Sequence, residues 1–221
     1  MDKLYNASNV VQKMTLGIFA NYEVTGRERV PPDGPLIIVA NHQSNLDPAL
    51  LSPSIPRRIR FLAKSSIFRV SIANWFLRTY GAFPLNRDAV DVTAHRWSVA
   101  HLKSGGALAL FPEGTRNPRG MGQAHAGVAR LALSTKTRLL PVGITGTERL
   151  GSVLRVFNPT GRIRMNIGEP FELPSIAGKP SKAELEAMTG MIMRRIAAQL
   201  PPEYRGAYEI DEPNAAANGS S

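Results

Sequence analysis

Apolar side chains recur along this chain at two spacings, and the spacings divide it into elements. Over residues 3–20, Leu4, Tyr5, Val11, Met14, Ile18 and Phe19 stand mostly three, four or seven apart, which predicts an amphipathic helix. Gly26 and the Pro31-Pro32-Asp33-Gly34 turn interrupt that period. Leu36-Ile37-Ile38-Val39 then runs without a polar break, so residues 35–40 are predicted as a strand covered on both faces. Shorter strands are predicted at 59–63, near 80–85, at 107–111 and at 139–144, with an alternating one at 162–168. Helical stripes fall at 66–78, 89–103 and 122–135, and a last one over 181–200 carries Leu185, Met188, Ile192 and Ile196. Asp88 or Asp91 starts the second of these, Gly105-Gly106 ends it, and Pro201-Pro202 stops the last.

Strands alternating with helices predict an α/β fold, a mostly parallel central sheet flanked by helices. Residues 1–23 are read as an N-terminal amphipathic segment that either rests on lipid or covers the domain. Residues 24–210 make the one domain, and the small, polar residues 211–221 are expected to be disordered.

Composition narrows the classes of function. The 43% apolar content suits a packed domain, and the absence of cysteine excludes a thiol nucleophile, a thiolate metal site and a disulfide scaffold. Residues 1–20 do not read as a secretory signal, and no apolar run approaches the ~20 residues of a spanning helix. Lys and Arg exceed Asp and Glu by 27 to 17, for a net charge of +10. No acid lies between Asp47 and Asp88, an interval holding Arg57, Arg58, Arg60, Lys64, Arg69, Arg78 and Arg87. Such a one-sign field suits anionic lipid or nucleic acid. Within it, Trp75 and Phe76 beside arginines are either an interfacial element or core; the pattern leaves both open. A nucleic-acid module lacks its usual companions here, a two-helix reading motif or aromatics alternating with basic residues.

Chemistry in α/β sheets gathers where strands give way to loops at their carboxyl ends. His42 leaves the 35–40 strand and Asp47 follows five residues later, so a carboxylate can fix the imidazole tautomer and leave the other nitrogen to take a proton. The plain alternative is a structural His and a first-turn acid. After the 107–111 strand comes Pro112-Glu113-Gly114-Thr115-Arg116, where Thr115 and Arg116 can bind an oxyanion and Glu113 can accept from hydroxyls or pair with Arg116. Arg87 follows Gly81-Ala82-Phe83 as a phosphate contact or a surface ion pair. No G-x-S-x-G elbow, H-E-x-x-H pair, P-loop or dinucleotide fingerprint is present, and no metal site is expected. His101 falls on the 89–103 stripe as a packing residue, and His95 and His125 are read as surface.

Taken together, these exits resemble a known family. Asn41-His42-Gln43-Ser44-Asn45-Leu46-Asp47 matches N-H-x-x-x-x-D, and Phe111-Pro112-Glu113-Gly114-Thr115-Arg116 matches F-P-E-G-T-R. Gly81 through Arg87 resembles the motif between them, with Pro84-Leu85-Asn86 replacing the usual Phe-Ile-x, and Leu140-Pro141-Val142-Gly143-Ile144 resembles the fourth block. Residues 24–170 are thus similar to the glycerolipid acyltransferases of the PlsC type.

The resemblance implies that His42 is a general base oriented by Asp47. Arg87, with Arg116 and Thr115, would hold the acceptor's phosphate, Lys103 would assist, and Glu113 would meet the glycerol. Gly114 would keep its loop tight, and Pro141 would shape the acyl-donor side. The implied reaction is acyl transfer from acyl carrier protein or coenzyme A to 1-acyl-glycerol-3-phosphate (lysophosphatidic acid), without cofactor or acyl-enzyme, peripheral on the cytoplasmic face of an anionic membrane. Another lyso-lipid acceptor would use the same base. A non-enzymatic module binding nucleic acid or anionic lipid is the remote alternative. Acyl chain length and oligomeric state are not written in the pattern.

Overall fold

The computed structural model describes residues 2–86 and 91–208. Helix α1 (Asp2–Phe19) leads into β1 (Ala20–Thr25), followed by β2 (Leu36–Ala40), α2 (Asp47–Ser54), β3 (Ile59–Lys64), α3 (Ser71–Tyr80) and β4 (Ala82–Leu85). Then come α4 (Val92–Lys103), β5 (Ala107–Leu110), α5 (Gly127–Thr135), β6 (Arg138–Thr145), β7 (Gly161–Ile167) and α6 (Lys182–Ala197). The strands form one sheet in the order β1-β7-β6-β2-β5-β3-β4. Every pairing is parallel except β6 with β7.

Strand β2 sits at the centre, and its unbroken apolar run follows from that place: all five residues are buried. Its side chains alternate between two cores. Leu36, Ile38 and Ala40 pack on the side of α1 and α2 with Leu16, Leu50 and Leu51. Ile37 and Val39 face the other layer, with Leu102 of α4, Val128 and Ala129 of α5, and Ile192, Met193 and Ile196 of α6. Ser181 and Glu184 close a capping box at the start of α6.

Residues 20–25, 66–78 and 122–135 depart from the expectations. Residues 20–25, expected as connection, form the edge strand β1, whose burial alternates residue by residue as a half-covered strand requires. The boundary expected after residue 23 therefore falls inside a strand. Helix α1 covers the domain, one of the two placements expected of it: Tyr5 and Leu16 belong to the core, and the Tyr5 hydroxyl accepts from Ser52 Oγ and from the Ile59 N–H at 2.8 and 3.1 Å. The helix expected over 66–78 divides into a 3-10 turn (Ser65–Arg69) and α3, because Val70 is extended (φ −86°, ψ 118°). Of the two acids expected at the start of α4, Asp91 caps it, accepting from the Ala94 N–H; Asp88 lies outside the described residues.

The helix expected at 122–135 starts only at Gly127, because the preceding loop is tied to other elements. Gly122 donates its N–H to Glu113 and His125 donates its N–H to the Pro112 carbonyl. The expected tail, residues 211–221, lies outside the described residues.

Candidate active site

Parallel pairing of β2 with β5 and β6 sets the carboxyl ends of these three strands side by side. Beyond β2, the chain turns through 41–46 into α2, and Asp47 folds back on the turn. Its Oδ2 accepts from the His42 ring at 2.8 Å and from the N–H groups of Gln43 and Ser44 at 2.7 and 2.8 Å. Its Oδ1 accepts from Thr147 Oγ1 at 2.6 Å. As an acceptor already facing three other donors, the carboxylate requires the hydrogen on His42 Nδ1, which leaves Nε2 to accept. Asp47 is wholly buried, whereas 9% of the His42 side chain reaches solvent. Phe111, at the end of β5, stacks on the imidazole with ring centroids 4.3 Å apart.

Glu113, for which the resemblance implies a contact with the glycerol, is hydrogen-bonded within the protein at both of its oxygens. It is 1% exposed. Oε1 accepts the His42 backbone N–H at 2.9 Å, while Oε2 accepts from Asn117 Nδ2 and from the Gly122 N–H. Burial pushes its carboxyl above the usual carboxylate range, and these donors oppose the shift. Asn117 also donates its N–H to the His42 carbonyl at 2.7 Å, so Glu113 and Asn117 lock the 113–117 loop against the histidine. No Glu113–Arg116 ion pair forms among the described residues.

Gly114 keeps that loop tight for two reasons. Its φ is +65°, and a Cβ there would lie 2.8 Å from the His125 ring. Thr115 and Arg116 follow it with exposed side chains on the loop that Asn117 fastens to His42.

Lys103 stands apart from this cluster. Lys103 is exposed at the end of α4, before β5, whereas the histidine cluster forms after β5. Four strand residues, about 13 Å, separate those two levels, so the fold does not bring Lys103 to the cluster. Pro141 is buried inside β6 opposite Val39, where the missing N–H falls beside the interrupted pairing of β6 with β7. Arg87 lies outside the described residues.

His101 is a packing residue, stacked on Trp97 with Nε2 3.0 Å from the Ala107 carbonyl oxygen, and burial pulls its pKa down. Among the described residues, no group of three or more His, Asp or Glu side chains is placed to hold a metal ion, and no helix is long and apolar enough to cross a membrane.

Three contributions escaped the motif reading. The Asn41 side chain brackets Ile144, donating to its carbonyl and accepting its N–H at 2.8 and 2.7 Å, which fastens the start of the histidine turn to β6. Thr147 reaches Asp47 from the turn after β6. Asn117 braces Glu113. For Thr147 the available signal was the one used for the other exits: Gly146-Thr147-Glu148 directly follows a buried strand.

Comparison with known proteins places this architecture. The acyltransferase family model matches residues 21–145. The 1-acyl-sn-glycerol-3-phosphate acyltransferase of Bacillus subtilis is 28% identical over 83% of this chain and 90% of its own length. That of Streptococcus pneumoniae is 31% identical over 88% and 71%, respectively. The crystal structure of the 1-acyl-sn-glycerophosphate acyltransferase PlsC from Thermotoga maritima superposes with a TM-score of 0.67 at 28% identity, covering 85% of this chain and 76% of that one. With its turn-borne histidine and aspartate at the carboxyl edge of a mostly parallel sheet, the chain belongs to the PlsC-type glycerolipid acyltransferases.

Proposed function

We propose that this chain transfers a fatty acyl group from an acyl thioester to the sn-2 hydroxyl of 1-acyl-glycerol-3-phosphate, giving phosphatidic acid, with His42 as general base. The observation that carries the reading is the buried Asp47 carboxylate on His42 Nδ1. Nε2 removes the hydroxyl proton as the oxygen attacks the thioester carbonyl, and Asp47 stabilises the imidazolium that forms. The tetrahedral oxyanion collapses, the C–S bond breaks, and the imidazolium returns its proton to the thiolate. With no cysteine in the chain and no serine elbow, transfer is direct, without an acyl-enzyme.

Arg116, exposed beside the braced loop, holds the acceptor's phosphate, with Thr115 beside it and Arg87 as the second cation. Purified protein assayed with several lyso-lipid acceptors against both acyl-CoA and acyl carrier protein should favour the phosphomonoester. Arg116→Gln should raise its Michaelis constant by about tenfold, the scale of one exposed charge-assisted hydrogen bond, and leave the donor's unchanged. A selective effect on the thioester would overturn the phosphate assignment.

The exposed apolar face supports peripheral docking on a membrane, which this reading puts on the cytoplasmic leaflet. Val10, Met14 and Ile18 of α1 are exposed, as are Ile72 and Trp75 of α3, and Leu154 and Phe157 in or beside the 3-10 turn Val153–Val156. Helix α1 joins the other two segments: Thr15 Oγ1 donates to the Val156 carbonyl, and the Tyr80 hydroxyl donates to Asn9. The three segments lie in stretches without an acid, residues 3–22, 48–87 and 149–168.

Not every arginine of the basic interval serves this face. Arg57 donates to the carbonyls of Pro31, Asp33, Gly34 and Gly105, and Arg58 stacks on Tyr5. Binding to vesicles containing phosphatidylglycerol should fall as salt rises, and Trp75→Ala should weaken it about tenfold, the scale of one deeply buried aromatic. Equal binding to neutral vesicles at high salt would refute this docking mode.

A further inference from the structure

We infer that Thr147, in the turn after β6, is a positioning residue for acyl transfer: its hydroxyl holds the Asp47 carboxylate in the rotation that keeps His42 aligned. The inference rests on the proposal that His42 is the base and adds a part supplied from a distant segment.

The hydrogen bonds on Asp47 are unevenly shared. Oδ2 takes three donors, all from the turn to which Asp47 itself belongs: His42 Nδ1 and the N–H groups of Gln43 and Ser44. Oδ1 takes Thr147 Oγ1, at 2.6 Å and one hundred residues away in sequence. Three donors converging on one oxygen leave the carboxylate plane free to pivot about that oxygen. A donor on the second oxygen stops the pivot. Thr147 is therefore placed to fix the direction in which Oδ2 presents its lone pair to the imidazole.

Thr147 is itself held at several points, as such a strut must be. It is wholly buried. Before it, Gly146 has φ +87°, and a Cβ there would fall 1.9 Å from the Arg162 carbonyl oxygen, so only glycine lets the turn lie this close to β7. After it, Glu148 accepts from the Tyr204 hydroxyl at 3.1 Å. Glu148 also accepts from the Gln43 carboxamide at 3.3 Å, in the amide orientation its surroundings require. With Asn41 bracketing Ile144, the 144–148 turn grips the histidine turn at Asn41, Gln43 and Asp47. The turn just beyond the fourth sequence block thereby acts through the base.

Thr147→Val keeps the shape and deletes the hydroxyl, whereas Thr147→Ser keeps the hydroxyl and deletes a methyl group. Thr147→Val should lower kcat about 10- to 100-fold, with both Michaelis constants within about twofold of wild type, because the lost interaction acts on the base rather than on either substrate. The low-field proton resonance of His42 Nδ1–H should shift or vanish. Thr147→Ser should hold kcat within about threefold and keep that resonance, even if its melting temperature falls. Should Thr147→Val fail to fold, Thr147→Ala against Thr147→Ser makes the same comparison.

Wild-type kcat in the Val or Ala variant, equal losses in Ser and Val, or a loss confined to a Michaelis constant would each overturn the inference. His42→Ala assayed alongside separates the two levels. Turnover retained there sinks the general-base reading, whereas an inactive His42→Ala with a fully active Thr147→Val sinks only the role of Thr147.

Discussion

His42→Ala should lose roughly 10²–10⁴-fold in turnover while remaining folded and still binding lysophosphatidic acid. General-base assistance contributes roughly 10²–10⁴-fold, and among the described residues His42 is the histidine whose ring is held by a buried carboxylate. Folding survives because the ties that hold this position in the cluster belong to its backbone. The N–H donates to Glu113 and the carbonyl accepts from Asn117, and alanine keeps both. The side chain is lost only as a ring stacked on Phe111 and a partner of Asp47, costing about 1–2 kcal/mol of stability. The acceptor's phosphate contacts, proposed for the exposed Arg116, are untouched. The check is steady-state turnover beside a melting curve and lysophosphatidic acid binding. Turnover within about tenfold of wild type would assign the proton transfer to another group.

The parts that were legible in the sequence obey local rules. Residues 36–40 could only be a central strand, because a run of aliphatic side chains with no polar break needs cover on both faces. His42 and Asp47 were legible for a related reason: polar groups at the exit of such a strand are costly unless they are satisfied or used. What escaped depends on pairs distant in sequence. The motif names Glu113 but not its three donors, so its role as a brace for His42 appears only when the 111–122 loop folds over the histidine turn.

Thr147 meets Asp47 across one hundred residues, and neither spacing nor periodicity carries that information. Lys103 entered through the resemblance alone, which does not show that β5 carries the chain from the edge where Lys103 stands to the edge where the histidine turn lies. Arg57 shows the same limit for charge. It lies in an acid-free run that suggests lipid, yet its guanidinium is spent on four backbone carbonyls.

Asp47→Asn and Asp47→Ala should separate what Asp47 does for the fold from what it does for the reaction. Alanine removes the acceptor of four hydrogen bonds from a wholly buried position, leaving two backbone N–H groups, the imidazole N–H and the Thr147 hydroxyl without it. Orphaned buried donors cost about 1–3 kcal/mol each, partly relieved by rearrangement, so a total near 3–5 kcal/mol is expected. In a chain of this size that lowers the melting temperature by roughly 10 °C. Asparagine is nearly isosteric. With its carbonyl oxygen toward His42, Gln43 and Ser44, its NH2 group meets Thr147, whose hydroxyl can rotate from donor to acceptor. All four contacts are then kept in form, and the melting temperature should stay within about 4 °C of wild type. The charge is gone, however, and a neutral amide cannot stabilise the imidazolium formed as His42 takes the hydroxyl proton. Asp47→Asn should therefore lose roughly 10²–10⁴-fold in kcat, close to the loss in Asp47→Ala, while sharing little of its instability. An Asn variant with near wild-type kcat would mean that Asp47 only holds the turn, and direct, Asp-assisted proton abstraction would have to be abandoned.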